Sequence, residues 1–313
     1  MLPAEMDVSR SLELLHMTVY SQCFSPCGKY LAVGNNLGQI GVFSLSSALG
    51  SEAKEQNKEP SAMFQAHSGP IYCLSSTDRH LISAGDNEVK GWLWTDLCKK
   101  GCVAAWCRAA PSRNNLETPE INSLVLNHVD NSLLLGGGSC HIHVMDLETG
   151  AFTVSFHGVS GGGVMGATLS MISSPGVQVH PAAWYRGVIL QISTQKFCLA
   201  TDSDWMVCGG GPMLSLWHLR SVTPTTIFPI QESQQKVMFY QDLILCAGHS
   251  PHINHCQING EIRAQIPSTP SSIYSLCINE TSQENKVLTA AGSSSRIDVF
   301  TNFRYRAFSL TFT

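Results

Sequence analysis

Apolar residues in this chain fall in short runs that come in pairs, each pair separated by a glycine-bearing turn. The clearest pair runs from Asp204 through Trp205-Met206-Val207-Cys208 to Gly209-Gly210-Gly211, then Leu214-Ser215-Leu216-Trp217-His218-Leu219. Side chains alternate across an extended strand. The second run therefore places Leu214, Leu216 and His218 on one face and Ser215, Trp217 and Leu219 on the other. A strand, a tight turn and a second strand are predicted, with the glycines expected to supply the positive φ angles of the turn.

The hairpin recurs. Tyr30–Asn36 is followed by Gln39–Leu45, His80–Asp86 by Val89–Trp94, and Ser132–Gly138 by Ile142–Leu147; Asp242–Gly248 is followed by Ile253–Ile258, and Lys286–Gly292 by Arg296–Phe300. One glycine from each copy, Gly34, Gly85, Gly137, Gly210, Gly248 and Gly292, gives intervals of 51, 52, 73, 38 and 44 residues. Four intervals scatter around the roughly 40–45 residues of a four-stranded propeller blade. The expected fold is an all-β propeller forming a single domain over residues 1–313. Its blades are placed near 16–60, 61–110, 119–156, 196–230, 235–267 and 271–312, with an irregular stretch at 157–195.

That stretch explains the 73-residue interval. Ser155 to Gln195 contains one charged residue, Arg186, in 41, where the chain average would give about five. Three readings stand: a degenerate blade, a long loop, or substituted sequence that has replaced a blade. The last is favoured, because blades keep polar residues on solvent-facing strand positions. Elsewhere, Gly50–Pro60 and Cys98–Pro119 are expected as surface loops. Ser9–Leu15 is expected as a short docking helix, and Tyr305–Phe312 as the outer strand of the last blade.

Composition narrows the class. Hydrophobic residues make up 43% of the 313 and charged residues 13%, enough apolar surface for a core. The net charge of −4 gives no chain-wide basic excess for nucleic acid. Met1–Leu15 lacks the apolar run of a secretory signal, and no stretch of about 20 strongly apolar residues predicts a membrane span. The twelve cysteines, several inside strand-like runs, are expected as free thiols behaving as small hydrophobes in a reducing compartment.

His67, Ser83, Asp86 and Trp92 raise a choice between catalysis and structure. Their residue types fit a hydrolase, but no Gly-x-Ser-x-Gly elbow surrounds Ser83. Asp86 to Trp92 has the turn-to-strand spacing of a WD repeat, with His67 where such repeats carry Gly-His. The expected arrangement is a buried tetrad in which carboxylate, imidazole, hydroxyl and indole satisfy one another. His249, His252, His255 and Cys256 have zinc-like spacings. Strand alternation would split them across two faces, and Cys98, Cys102 and Cys107 lack paired knuckles, so no metal site is expected. Gly161-Gly162-Gly163 and Gly209-Gly210-Gly211 lack the context of a phosphate loop. Lys99, Lys100, Arg108 and Arg113 are candidate RNA or partner contacts. No catalytic set and no cofactor are expected.

Several longer runs resemble the WD-repeat subunit 6 family of the THO complex. They are His16-Met17-Thr18, Ser25–Ala32, Ser76–Leu81, Met145–Gly150, Leu199–Pro212, Thr223–Ile230 and Tyr305–Leu310. The resemblance covers roughly residues 16–153 and 197–313, and it departs at 154–196, where the family looks seven-bladed. It implies six clear blades plus a degenerate or replaced one. It also implies a non-enzymatic nuclear scaffold, in nuclear speckles, acting in mRNA processing, splicing and export. The implied partners are other THO subunits and export adaptors, with RNA touched indirectly or weakly, no membrane and no small-molecule substrate. The alternatives are a propeller that binds RNA directly and a WD-repeat adaptor of another nuclear complex. A lost blade would expose apolar faces and strand edges, so lower stability than a complete version is expected.

Overall fold

The computed structural model describes residues 3–99, 101–111, 120–137, 141–157, 198–209, 213–221 and 223–312. Most of the irregular stretch, residues 158–197, lies outside the described residues, and with it the choice between a degenerate blade, a long loop and substituted sequence. The described residues form six four-stranded antiparallel sheets, each a meander of consecutive strands. The first sheet holds β1 Val19–Phe24, β2 Tyr30–Asn35, β3 Gln39–Ser44 and β4 Ala62–Gln65. The second holds β5 Cys73–Ser76, β6 His80–Ala84, β7 Glu88–Leu93 and β8 Trp106–Ala109. The third holds β9 Ile121–Asn127, β10 Ser132–Gly137, β11 His141–Asp146 and β12 Phe152–His157. The fourth holds β13 Cys198–Asp202, β14 Trp205–Gly209, β15 Ser215–His218 and β16 Thr223–Ile227. The fifth holds β17 Gln234–Tyr240, β18 Leu243–Gly248, β19 His252–Gln257 and β20 Ile262–Pro267. The sixth holds β21 Ile273–Ile278, β22 Leu288–Gly292, β23 Arg296–Phe300 and β24 Phe308–Thr311.

The chain divides into two compact units, 1–108 with 267–313, and 109–266. In the first unit the sixth and second sheets flank the first. Met17, Val19, Phe43, Ile297, Leu310 and Phe312 share one buried cluster between the sixth and first sheets. Ala32, Ile40, Leu81 and Trp92 share another between the first and second. Each such side chain contributes about 1.5–3 kcal/mol on leaving water. Polar groups fasten the same seam: Gln22 Nε2 donates to the Ser275 carbonyl at 3.1 Å, and Asn279 Nδ2 to the Gly28 carbonyl at 2.7 Å. In the second unit the fourth and fifth sheets share a core of Val207, Leu216, Phe228, Val237 and Ile244 that includes Cys198, Cys246 and Cys256. Leu134 and Ile142 pack inside the third sheet.

The repeated glycines do a different job from the one their hairpins suggested. Positive φ among the described glycines occurs at Gly28, Gly38, Gly101, Gly150 and Gly260, and not at Gly34, Gly85, Gly137, Gly248 or Gly292; Gly210 lies outside the described residues. Instead Gly137, Gly248 and Gly292 each close the second strand of their sheet, where the residue just before the first strand crowds them. A Cβ would lie 1.9 Å from the Glu120 carbonyl oxygen at Gly137, 2.0 Å from that of Ser233 at Gly248, and 1.8 Å from that of Ser272 at Gly292. Close backbone approach, not turn conformation, requires glycine there. The pairing register slips opposite these glycines, leaving Tyr20, Asn122, Gln235 and Tyr274 as the extra residue of a bulge in the first strand.

Three segments also differ from expectation. The docking helix is longer, α1 Pro3–Leu15, and holds on to the first core cluster through Leu14. Residues 50–60 contain a one-turn 3-10 helix, Glu55–Lys58, after the short helix α2 Leu45–Ala48 capped by Ser44. The expected loop 98–119 contributes β8, whose Trp106 indole covers Gly91 so closely that a Cβ there would sit 2.1 Å from the ring. The expected break between residues 60 and 61 falls before β4, which completes the first sheet. The outer strand expected within 305–312 is β24.

Candidate functional site

The second sheet positions the expected tetrad. His67 follows β4 in the loop leading into β5, Ser83 lies on β6, and Trp92 lies opposite Leu81 on β7. His67 Nε2 is 2.7 Å from Ser83 Oγ, and Trp92 Nε1 donates to the same oxygen at 2.9 Å. The carboxylate is not that of Asp86. Glu88 Oε1 stands 3.0 Å from His67 Nδ1, because the extra reach of Glu from β7 spans back to the loop. Asp86 instead turns toward Gly69, where a Cβ would meet its Oδ2 at 2.3 Å. Lys90 Nζ pairs with the same Glu88 Oε1 at 2.7 Å and donates to the Ala66 carbonyl at 2.9 Å.

One proton arrangement satisfies every member. With neutral His67 carrying hydrogen on Nδ1, that group donates to Glu88, Nε2 accepts from Ser83, and Ser83 accepts from Trp92. Burial lowers the His67 pKa below its ordinary value, Lys90 adds to this, and Glu88 opposes it. For Glu88, partial burial pushes the carboxyl up, but the hydrogen bond from Lys90 and the charges of Lys90 and His67 outweigh it, so the net shift is downward. The distances are those of a Ser–His–carboxylate relay, yet Ser83 is 0% exposed and His67 3%. Trp92 Nε1 already donates to the hydroxyl oxygen, and its indole is buried beside it. The arrangement locks the β4–β5 loop to the sheet and cannot present Ser83 to a substrate.

The corresponding positions in the fourth and fifth sheets do not form this relay. Trp217 lies opposite Met206 and Cys256 opposite Ile244, the register position that Trp92 takes opposite Leu81. Trp217 Nε1 donates to Ser215 Oγ at 2.8 Å rather than to the neighbouring β14. In the fifth sheet a thiol pair, Cys246 and Cys256, takes the place of Ser83 and Trp92. Donation to the Cys256 sulfur and burial both hold the Cys246 thiol protonated. Burial likewise pushes Cys198 up to about 12 and Cys208 up to about 11. None of the eleven described cysteines forms a disulfide.

The remaining candidates separate. His255 is buried on β19, while His249 bonds Gln235 across the sheet end at 3.1 Å. Among the described residues no group of three or more His, Cys, Asp or Glu side chains is placed to hold a metal ion. Lys99 pairs with Asp96, and Arg108 on β8 donates to the Cys107 carbonyl; Lys100 and Arg113 lie outside the described residues. Sequence reasoning missed two features. Asp298, 0% exposed, accepts from Ser268 Oγ at 2.8 Å, Ser309 Oγ at 2.6 Å and Thr269 Oγ1 at 2.8 Å. Tyr20, Tyr72 and Tyr274 gather from three different sheets, with Tyr20 centred 5.9 Å from Tyr72 and 5.7 Å from Tyr274. The equal placement of Tyr20 and Tyr274 before their strands' Ser was the available signal.

No helix of the described residues is long and apolar enough to cross a membrane. The WD40 family model, "WD domain, G-beta repeat", matches residues 58–92, the span that carries the relay. Two solved structures share the fold. "Crystal structure of RRP9 WD40 repeats" has a TM-score of 0.63 at 12% identity, covering 88% of each chain. "Structure of U3-55K" has a TM-score of 0.64 at 13% identity, covering 88% of this chain and 89% of that one. The fold is thus the all-β WD-repeat propeller. Curated relatives are far nearer in sequence. "THO complex subunit 6 homolog" of Mus musculus and "THO complex subunit 6" of Homo sapiens are each 52% identical, over 98% of this chain and 96% of their own length. The Danio rerio homolog is 46% identical over 96% of this chain and 99% of its own. With that identity sustained along almost the whole sequence, the chain belongs to the THO complex subunit 6 family of WD-repeat proteins.

Proposed function

We propose that this chain is a non-catalytic scaffold subunit of the THO complex, acting in mRNA processing and nuclear export by docking other proteins. The observation that carries the reading is the 52% identity to THO complex subunit 6 across 98% of the chain. The buried relay of the second sheet supports it, since a Ser and His used to fix a loop leave that site without a nucleophile to offer. Other THO subunits and export adaptors are the partners, the nucleus and its speckles the location. The propeller is one domain of the seven-bladed kind. RNA contact is indirect, consistent with a net charge of −4 and with Lys99 neutralised by Asp96.

Affinity purification of the tagged full chain from nuclear extract, with and without nuclease, tests this. Recovery of THO subunits that survive nuclease is expected. Loss of those partners on nuclease treatment would replace the reading with RNA bridging, and a partner set from another nuclear assembly would replace it with an adaptor role there.

A further inference from the structure

The repeated glycine has a consequence beyond packing. Where it lets the first strand crowd the second, the bulge throws one residue out of register, and in two sheets of the first unit that residue is tyrosine: Tyr20 before Ser21 and Tyr274 before Ser275. Tyr72 stands beside them at the start of β5, its N–H bonded to the Ala84 carbonyl at 3.0 Å. The three rings are tilted 35° and 42° to one another about the central Tyr20, and all three are half-buried. The cluster places three partly exposed aromatic rings at one end of three neighbouring sheets.

Charge around it is selective. Asp86, in the β6–β7 turn at the same end, rests against the loop that ends at Tyr72. It is half-buried, and no described residue donates a hydrogen bond to it; His67 senses its charge only weakly. Glu88 is satisfied by Lys90 and His67. The cation Lys90 is spent on Glu88 and a carbonyl, and Arg296 opens the third strand of the sixth sheet, two strands out from Tyr274. Phosphates at this end would therefore meet the Asp86 carboxylate, with Lys90 already paired. A guanidinium would meet ring faces it can stack on and a carboxylate its fork can grip.

We propose that Tyr20, Tyr72, Tyr274 and Asp86 form a docking surface for an arginine-bearing extended peptide of a partner protein, one arginine stacking on the tyrosines and pairing with Asp86. This deepens the scaffold reading and rests on it, naming the chemistry of one partner segment. Planarity is the discriminating property, since an ammonium can neither stack nor engage a carboxylate through two parallel bonds.

Fluorescence anisotropy with the isolated full chain tests it, independently of any purified complex. The probes are labelled peptides of three tandem Gly-Arg-Gly units, the same with Lys or Glu replacing Arg, and a labelled oligouridylate. The arginine peptide should bind at least about fivefold more tightly than the lysine peptide, and the glutamate peptide not at all. Tyr20→Leu should weaken it about tenfold and Asp86→Asn about fivefold. Equal arginine and lysine affinities, or binding unchanged in both variants, would overturn the proposal. So would oligouridylate bound more tightly than peptide with the same loss in Tyr20→Leu, which would make the surface a nucleic-acid platform. Should Tyr20→Leu fail to fold, Asp86→Asn, which breaks no described hydrogen bond, decides alone. Peptide binding that persists while THO subunits are absent from the purification would leave the surface standing and the scaffold reading wrong.

Discussion

Ser83 oxygen serves two partners, and its removal would strand both. Ser83→Ala leaves Trp92 Nε1 and His67 Nε2 buried without a bond, so a loss of about 2–4 kcal/mol is expected from urea unfolding. Glu88→Ala should cost at least about 1 kcal/mol by freeing Nδ1, whereas Asp86→Ala should stay within about 0.5 kcal/mol. The reverse order would restore Asp86 to the relay. Protonation is the second handle at this scale. Burial lowers the pKa of His67 and of His255 below the ordinary histidine value of 6.5. The folded state therefore holds fewer protons than the unfolded chain in the range just below 6.5, and stability drains away as pH falls through the folded-state values. Melting temperature should be flat above about pH 7 and decline below about pH 6. His255, whose Nε2 is buried without a hydrogen bond, carries a separable part: His255→Leu should flatten the decline, and an unchanged slope would assign the effect elsewhere.

Elements here are held by backbone crowding as much as by side chains. The innermost strand of a sheet must pass its glycine at a distance no Cβ tolerates, and the bulge that results is what separates β1 from a plain strand. Gly292→Ala would force a methyl to within 1.8 Å of the Ser272 carbonyl oxygen, so β21 has to move or the hairpin must open. A loss of about 2–4 kcal/mol is expected, against about 1 kcal/mol for Gly101→Ala, where φ is positive but the space is empty. Circular dichroism melts of the two variants would separate crowding from conformation. Similar losses would mean that the sheet yields more readily than its geometry implies. The same element-scale view explains why the WD40 model matches residues 58–92. Only there, among the described sheets, do a hydroxyl, an imidazole and an indole occupy the three repeat positions together; Cys246 with Cys256, or Leu135 with Met145, fill two of them with groups that pack rather than pair.

Across the molecule, residues from the two ends of the sequence meet in one unit. Phe312 is 0% exposed, packs edge-on against Phe43 at 5.7 Å, and fills the space above Gly41. No strand is shared between the first and sixth sheets, so this seam depends on side-chain packing and on Gln22 and Asn279. Phe312→Ala should cost about 3–5 kcal/mol and raise hydrogen exchange in β1 and β21 ahead of β18. Uniform acceleration would mean the two units unfold as one and the seam has no special role. Met17 and Leu310 complete the plug.

Some of this protein was legible from sequence alone. Alternation of period two, punctuated by glycine at blade-like intervals, determined the strands, the six hairpins and the all-β class, because both are local consequences of backbone geometry. The family was legible too, from runs such as Leu199–Pro212 that blade architecture does not require. What only tertiary structure decided was which atoms meet. Asp86 and Glu88 are two residues apart and chemically alike, and the choice between them depends on reach across a loop whose path the sequence does not state. The glycines were visible, but the crowding that makes them necessary comes from a carbonyl 15 to 20 residues earlier, just before the neighbouring strand. The tyrosines stand 52 and 202 residues from one another along the chain and share a surface because sheets that are distant in sequence are neighbours in space.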